Sequence, residues 1–243
     1  MIDEWNNGAK YWNFAWNPMI GCRKISEGCA NCYAERLAMR YPELRSPNGK
    51  FDPHCPKTLK RPPQKGVVFV GNMTDIFGEW NDWPQILDWL LRLHDSAENL
   101  ILTKRPERMA KLIAGINPAR RAWWGTTAEN QQRYDERVKF LKLIQSPFVK
   151  TWLSLEPLLG PVNLLSGGDA DYLPFDWVVI GSESGNKLLR RPCEIEWVRG
   201  IVRQCGENNI PVFVKQLEID GELERDIRKF PEDLQIRQLP WGK

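Results

Sequence analysis

The stretch VVFVGNMTD at residues 67–75 joins a continuous apolar run to a turn of glycine and short polar residues. A strand that is apolar at every position is typical of a parallel sheet covered on both faces. Similar runs, each followed by small or polar residues, recur along the chain. They lie at residues 67–70, 100–102, 122–124, 149–153, 177–180 and 212–214. An aromatic segment at residues 11–16 predicts a first short strand. Pro18 ends this strand, because proline cannot donate to a sheet ladder.

Helix-like segments separate these runs. They lie at residues 33–40, 84–95, 106–114, 130–144 and 194–207. Strands that alternate with helices imply βαβ units around a parallel sheet. We therefore expect one α/β domain at residues 1–217, built as a complete or partial parallel (β/α) barrel; a doubly wound open sheet would give the same pattern. Residues 218–243 are charged and punctuated by proline, which predicts a C-terminal extension.

The composition suits a globular enzyme-sized protein, with 243 residues of which 42% are hydrophobic and 27% charged. A net charge of +3 permits an anionic partner without demanding one. The apolar runs are too short to cross a bilayer, and the acidic start MIDEW does not resemble a signal peptide. We expect a cytoplasmic, reducing compartment and no membrane partner. Cysteines there are more often metal ligands or catalytic groups than disulfides.

Three of the six cysteines are concentrated in the segment WNPMIGCRKISEGCANCYA at residues 16–34. With the spacing C-x6-C-x2-C, they are Cys22, Cys29 and Cys32. Three thiols in one short loop before a helix favour a metal or iron–sulfur site over three thiols in a tryptophan-rich core. His54 or Cys55 would supply the fourth ligand of a zinc site. Cys205 lies in a helix-like segment, where a structural role is expected.

Polar residues at the ends of the predicted strands form a second feature. In barrels and open α/β sheets, the carboxyl ends of parallel strands lie on one face, which carries the active site. Glu156 and Glu183 directly follow apolar runs, and a buried carboxylate there needs a cation, backbone amides or a ligand. Lys104 and Arg105 would bind an anionic group or form a solvated charge pair. Asp75 would cap a helix or face the same site.

The turn GSESG at residues 181–185 resembles a small glycine-framed ligand turn. Arg190 and Arg191 follow it closely enough to clamp a carboxylate or phosphate. The sequence contains no Ser-His-Asp arrangement, Walker loop or GxGxxG fingerprint, which weakens hydrolase, P-loop and dinucleotide interpretations.

Several blocks together resemble a phage-associated family of unknown function with a three-cysteine motif, which is also found in bacterial genomes. The blocks are WNPMIGCRKISEGCANCYAERLAMR, VFVGNMTDIF, LILTKRPERM, WWGTTAEN, LSLEPLLGP, WVVIGSESG and IPVFVKQ, over roughly residues 12–217. That family is similar to radical S-adenosylmethionine enzymes, in which three cysteines hold a [4Fe–4S] cluster and one iron stays open for the cofactor. Their usual spacing is C-x3-C-x2-C, and Asn31 stands where an aromatic residue usually precedes the third cysteine.

The resemblance implies an iron–sulfur enzyme that uses S-adenosylmethionine and an external electron donor, with a nucleotide or nucleic-acid base as substrate. It assigns Cys22, Cys29 and Cys32 to the metal. The expected catalytic residues are Glu156, Glu183 and Lys104. The expected cofactor-binding residues are Asn72, Met73, Asp75, Ser154, Gly181, Ser182 and Ser184. Two alternatives remain open: a zinc-stabilised binding or scaffold protein that uses the cysteine loop, and a non-radical [4Fe–4S] enzyme.

Overall fold

The computed structural model describes residues 9–114, 122–144, 146–166 and 172–241. Eight strands in these ranges form one sheet, in which the order across the sheet follows the order along the chain. The strands are β1 (Phe14–Trp16), β2 (Gly66–Val70), β3 (Ala97–Thr103), β4 (Ala122–Thr127), β5 (Lys150–Leu155), β6 (Val178–Gly181), β7 (Val212–Ile219) and β8 (Glu222–Glu224). The predicted apolar runs therefore all lie in or directly beside strands.

Five α-helices occupy the predicted positions between the strands. They are α1 (Tyr33–Arg40), α2 (Trp83–Leu91), α3 (Pro106–Ile113), α4 (Gln131–Ile144) and α5 (Ile195–Glu207). The start of α2 is fixed by the Asp82 side chain, which accepts a hydrogen bond from the backbone N–H of Gln85. At α4, the Asn130 side chain accepts from the backbone N–H of Arg133 in the same way. Within the described residues, no helix is long and apolar enough to cross a membrane.

Strands β1 to β7 are all parallel, and β8 returns antiparallel to β7. The sheet curls into a half-barrel, so the predicted single α/β domain with a parallel sheet is confirmed. In the part of the chain that the structure describes, β1 and β8 are the two edges. The outer edge of β7 is already occupied, because residues 236–238 and β8 both pair with it. With that edge covered, β7 does not meet β1, and the sheet stays open.

Alternate residues of each strand face two different cores. On the face covered by the helices, Val68 and Val70 pack in one large cluster that also takes in Phe230 and Leu234 from the predicted extension. On the concave face, bulky rings fill the curl. These are Tyr11, Phe69, Trp123, Trp152, Trp177 and Phe213. The extension thus packs against the domain over its described residues.

Candidate functional site

The carboxyl ends of the parallel strands surround a cavity of about 230 Å³. All predicted site residues line it except Gly181. They are Cys22, Cys29, Cys32, Asn72, Met73, Asp75, Lys104, Ser154, Glu156, Ser182, Glu183 and Ser184. Gly181 lies just behind the wall, where a Cβ atom would come 3.0 Å from Oε1 of Glu156. The topology therefore brings together residues that are up to 162 positions apart in the sequence (Cys22 to Ser184).

The three cysteines of the loop are free thiols, and each is half-buried. Burial raises the pKa of Cys22 to about 12; the charge of Asp75 acts in the same direction, as do those of Cys29 and Cys32, while Arg105 opposes them. Ser26 Oγ lies 3.7 Å from Cys29 Sγ. Among the described residues, no group of three or more His, Cys, Asp or Glu side chains is arranged to hold a metal ion. The thiols share one cavity wall without forming a preassembled ligand set.

Residues Ser26 and Glu27 attach the cysteine loop to the segment around the start of α4. Glu27 forms an ion pair with Arg133, with 2.9 Å between Oε2 and Nη2, and its Oε1 accepts from Asn130 Nδ2 at 2.6 Å. The hydrogen bonds from Arg133 are the main reason that the pKa of Glu27 is lowered to about 2. Ser26 Oγ donates to Oε1 of Glu129 at 2.7 Å. These contacts link residues more than 100 positions apart and hold the loop over β4.

Glu129 is the buried centre of this attachment. Its side chain is 0% exposed and pairs with two cations, Lys104 Nζ at 2.8 Å and Arg137 Nη1 at 2.9 Å. Burial alone would raise the pKa of Glu129, but the two cations and the hydrogen bonds from Lys104 and Ser26 outweigh burial and lower it. Gly28 packs directly on this carboxylate, since a Cβ there would lie 2.3 Å from Glu129 Cγ. Lys104, predicted as catalytic, is therefore also a partner of Glu129.

The turn after β6 holds the cysteine loop from the other side. Asn31 Nδ2, between the second and third cysteines, donates to Oε2 of Glu183 at 2.9 Å and to the carbonyl of Leu189 at 2.7 Å. Glu183 also pairs with Arg191, which in turn donates to the carbonyl of Glu27 at 2.9 Å. Of the two arginines predicted as a clamp, Arg191 thus binds Glu183 of its own chain, whereas Arg190 Nη2 donates to the carbonyl of Gly221 at 3.0 Å. We call the contacts of Ser26, Glu27 and Asn31 with α4 and this turn the loop clamp.

The turn after β2 touches the cysteine loop directly. Thr74 Oγ1 donates to the carbonyl of Gly21 at 2.7 Å, and Tyr33 OH donates to the carbonyl of Asn72. Asp75 is buried and accepts from Thr103 Oγ1 at 2.7 Å and from Arg105 Nη1 at 3.0 Å. Its carboxylate therefore joins the ends of β2 and β3 besides facing the cavity.

The bottom of the cavity is formed by the ends of β5 and β7 and by the segment before β1. Lys215 Nζ lies 2.7 Å from Oε1 of Glu156. Oε2 of the same carboxylate accepts from Tyr11 OH at 3.1 Å and from Ser154 Oγ at 3.3 Å. Burial and the Glu156 carboxylate raise the pKa of Tyr11 well above its usual value, so its hydroxyl stays protonated and donates. We call Tyr11, Trp12, Phe69 and Lys215, all of which line the cavity, the cavity floor.

Sequence reasoning did not assign Tyr11, Lys215 or Glu129 to the site, and it considered Arg191 only as a clamp for a carboxylate or phosphate. Lys215 carried a usable signal, because it directly follows an apolar run as Glu156 does. Tyr11 carried none, because it meets Glu156 only through a contact that spans 145 positions.

The two residues considered as a fourth zinc ligand lie elsewhere. His54 and Cys55 are not among the cavity-lining residues. Nδ1 of His54 lies 2.9 Å from the carbonyl of Asp52, and Cys55 is exposed, with its sulfur 3.9 Å from Nε2 of Gln85. The structure does not bring either residue to the wall formed by the three cysteines.

The fold and the cavity define a single-domain α/β protein with a half-barrel sheet whose strand ends carry thiols, hydroxyls and ion pairs. A family model described as "Protein of unknown function (DUF5131)" matches residues 6–233, and the chain belongs to this family. No curated protein and no solved structure matches the chain.

Proposed function

We propose that the protein is an iron–sulfur enzyme of the radical S-adenosylmethionine type, in which Cys22, Cys29 and Cys32 bind a [4Fe–4S] cluster. The observation that carries the proposal is that three free thiols line the same cavity as the polar ends of the parallel strands. Three thiolates suit a cluster that keeps one iron open, whereas a closed structural zinc site takes four protein ligands.

The residues around the thiols fit such a group in two ways. The loop clamp fixes the loop just before Cys29 and between Cys29 and Cys32, as supporting contacts around metal ligands commonly do. The end of β2, with Asn72 and Met73, and the turn with Ser182 and Ser184 line the wall beside the thiols and would bind S-adenosylmethionine. When bound, the cluster and this cofactor would supply radical chemistry started by an external electron donor.

A nucleotide or nucleic-acid base is the proposed substrate. The floor offers aromatic side chains and the ammonium group of Lys215, which suit a planar ring with acceptor atoms. Glu156 and Ser154 would position Lys215, and Lys104 would present its ammonium group from the opposite strand ends.

Anaerobic purification is the first test. We expect a brown protein that absorbs near ~400 nm and carries about four iron and four sulfide per chain, because cubane clusters are held by cysteine thiolates. A colourless protein with one zinc would overturn the proposal and favour a zinc-stabilised binding protein.

Two cysteine variants separate ligands from structural thiols. Cys29→Ala should remove nearly all iron and the ~400 nm absorbance, because only two cluster thiolates remain. Cys205→Ala is the matched control; Cys205 lies in α5 with its side chain buried in the core, so iron content should not change. Equal loss of iron from both variants would show that the ligands are misassigned.

Reductive cleavage of the cofactor is the second test. The brown protein should convert S-adenosylmethionine to 5′-deoxyadenosine and methionine when dithionite is added, and Cys29→Ala should not. If the cluster is present but neither cleavage nor cofactor binding is detected, the enzyme is of the non-radical [4Fe–4S] class.

A further inference from the structure

Lys215 is held in place before any ligand binds. Its ammonium group lies 2.7 Å from Oε1 of Glu156 and sits over the rings of Tyr11 and Trp12, at 5.8 and 5.7 Å from their centroids. The side chain of Lys215 is 25% exposed and lines the cavity. A flexible lysine is thereby fixed at the cavity floor by one carboxylate and two aromatic faces.

Glu156 serves as the tether rather than as a free ligand-binding group. Its Oε2 accepts from Tyr11 OH and Ser154 Oγ, and its buried Oε1 lies 2.7 Å from Lys215 Nζ in the ion pair. Gly181 leaves the space for this arrangement, because a Cβ would come 3.0 Å from Oε1. A ligand in the cavity therefore meets the ammonium group, which is a donor only, and not an open carboxylate.

The remaining floor is aromatic. Trp12 contacts Tyr11 and Phe69 edge to face, with centroid distances of 4.7 and 5.2 Å, and the rings of Tyr11 and Phe69 are tilted to each other at 6.4 Å. Tyr11 and Phe69 are buried, so the half-buried Trp12 offers most of the flat apolar surface that a planar ring could contact. The other carboxylates of the cavity wall are paired, Asp75 with Arg105 and Glu183 with Arg191. Because these carboxylates are paired and the ammonium group of Lys215 is a donor, the cavity floor favours a ligand that carries a hydrogen-bond acceptor.

We propose that the cavity floor is a subsite for a heteroaromatic base with an exocyclic oxygen, which accepts a hydrogen bond from Lys215 while the ring packs on the aromatic side chains. Guanine- and thymine-type rings have such an oxygen. Adenine presents an amino group at the equivalent edge, which would place a donor against a donor. The identification of this base as the substrate rests on the proposed function; its binding does not. The base would come from a free nucleotide or from an unpaired position in a single strand.

Calorimetric titration of the full-length protein, purified anaerobically, tests the subsite. The probes are dGMP, TMP and dAMP, and the single strands (dT)8 and (dA)8. The oxygen-bearing bases should bind about tenfold or more tightly than adenine, because adenine places an amino donor at the exocyclic position where Lys215 requires an acceptor. A preference among the mononucleotides identifies a free nucleotide; a preference among the strands alone identifies a base in nucleic acid.

Variants at Lys215 decide whether this residue reads the base. Lys215→Met should abolish the preference, and Lys187→Met should keep it, because Lys187 pairs with Glu222 on the exposed surface. Should Lys215→Met fail to fold, Lys215→Gln serves instead: its amide carries an acceptor as well as a donor, so dAMP should bind as well as dGMP. No preference in the wild type, or a preference that persists in both Lys215 variants, would overturn the inference.

The titration needs neither reductant nor cluster, so its failure is distinct from failure of the proposed function. A zinc protein that discriminates the bases would overturn the proposed enzyme class and leave the subsite standing. A brown protein that does not discriminate would overturn the subsite alone. The preference should also persist with saturating S-adenosylhomocysteine; its loss would assign the floor to the cofactor.

Discussion

Two glutamates at neighbouring strand ends, the buried Glu129 after β4 and the half-buried Glu156 after β5, both pair with a lysine but differ in their surroundings. Glu129 is 0% exposed, pairs with Lys104 and Arg137, and receives Ser26 from the cysteine loop. Glu156 is 14% exposed, and among the described residues Lys215 is its one cationic partner, besides two hydroxyl donors. One carboxylate fixes a loop to the sheet, and the other holds a lysine at the cavity floor.

The difference shows how one edge of a sheet serves two purposes. A carboxylate enclosed by two cations and a loop hydroxyl is costly to disturb, because each partner is desolvated. A carboxylate whose cation reaches solvent has partners that water can replace. The contacts of Glu129 therefore belong to the architecture of the site, while those of Glu156 belong to its ligand-facing surface.

Removing each charge in turn gives the largest expected contrast. Glu129→Gln should lower the free energy of unfolding by about 3–5 kcal/mol, because the buried Arg137 and the half-buried Lys104 both lose their carboxylate. Glu156→Gln should cost about 1 kcal/mol, because Lys215 is partly solvated and the amide still accepts from Tyr11. Urea unfolding measures both values. An equal loss would show that Glu156 is as much a structural residue as Glu129.

Adding a methyl group beside each carboxylate gives a smaller contrast. Gly28→Ala would bring Cβ within 2.3 Å of the Glu129 side chain, so the cysteine loop must shift, at a cost of about 1–3 kcal/mol. At Gly181→Ala the contact with Glu156 is 3.0 Å and needs a shift of only a few tenths of an ångström, so the loss should stay below about 1 kcal/mol.

Gly200 on α5 is the control for these two glycines, because a Cβ there meets nothing within 4 Å. Gly200→Ala should stabilise the protein by about 0.5–1 kcal/mol, as alanine does in a helix interior. If Gly181→Ala lowers the free energy of unfolding more than Gly28→Ala does, the inference that Glu129 is packed more tightly than Glu156 is wrong.

The smallest expected effect concerns acid. The pKa of Glu27 in the loop clamp falls from 4.5 to about 2, chiefly through hydrogen bonds from Arg133. A carboxyl with a lowered folded pKa stabilises the protein above its unfolded pKa, and this contribution disappears as pH falls through the folded value. Stability should therefore drop between about pH 4.5 and pH 2, because the protein takes up protons when it unfolds in this range. Unfolding of Glu27→Gln should take up about one proton fewer than unfolding of the wild type.

Unfolding free energies measured at several pH values between 5 and 2.5 give the slope for the wild type and the variant. Glu207→Gln changes an exposed carboxylate on α5 and serves as the control, with a slope like that of the wild type. A wild-type slope in Glu27→Gln would mean that the ion pair with Arg133 does not form in solution.

Asn31 shows that a polar residue within the cysteine loop can have a structural role. In the proposed comparison with the radical S-adenosylmethionine pattern, an aromatic residue is usual at its position. Here its side chain joins the cysteine loop to Glu183 and to the carbonyl of Leu189. The polar residue thus has a definite task, which is to attach the loop to the turn after β6. Tyr33, two residues further along, supplies an aromatic side chain to the cavity wall.

The sequence by itself determined the order of strands and helices, the parallel sheet and the group of strand-end residues. Apolar runs with polar ends are local patterns, and parallel pairing turns them into one face of the molecule. The cysteine loop was equally visible, because its three thiols lie within eleven residues.

Only the tertiary structure decided how far the sheet closes and which partner each charge takes. Closure depends on residues 236–238 pairing with β7, a contact between distant segments that no local pattern encodes. The need of Glu156 and Glu183 for cations followed from burial; the choice of Lys215 and Arg191 did not, because several basic residues near strand ends were equivalent in sequence. Partner choice is set by the register and curl of the sheet, which bring side chains within hydrogen-bonding distance only after the strands have assembled.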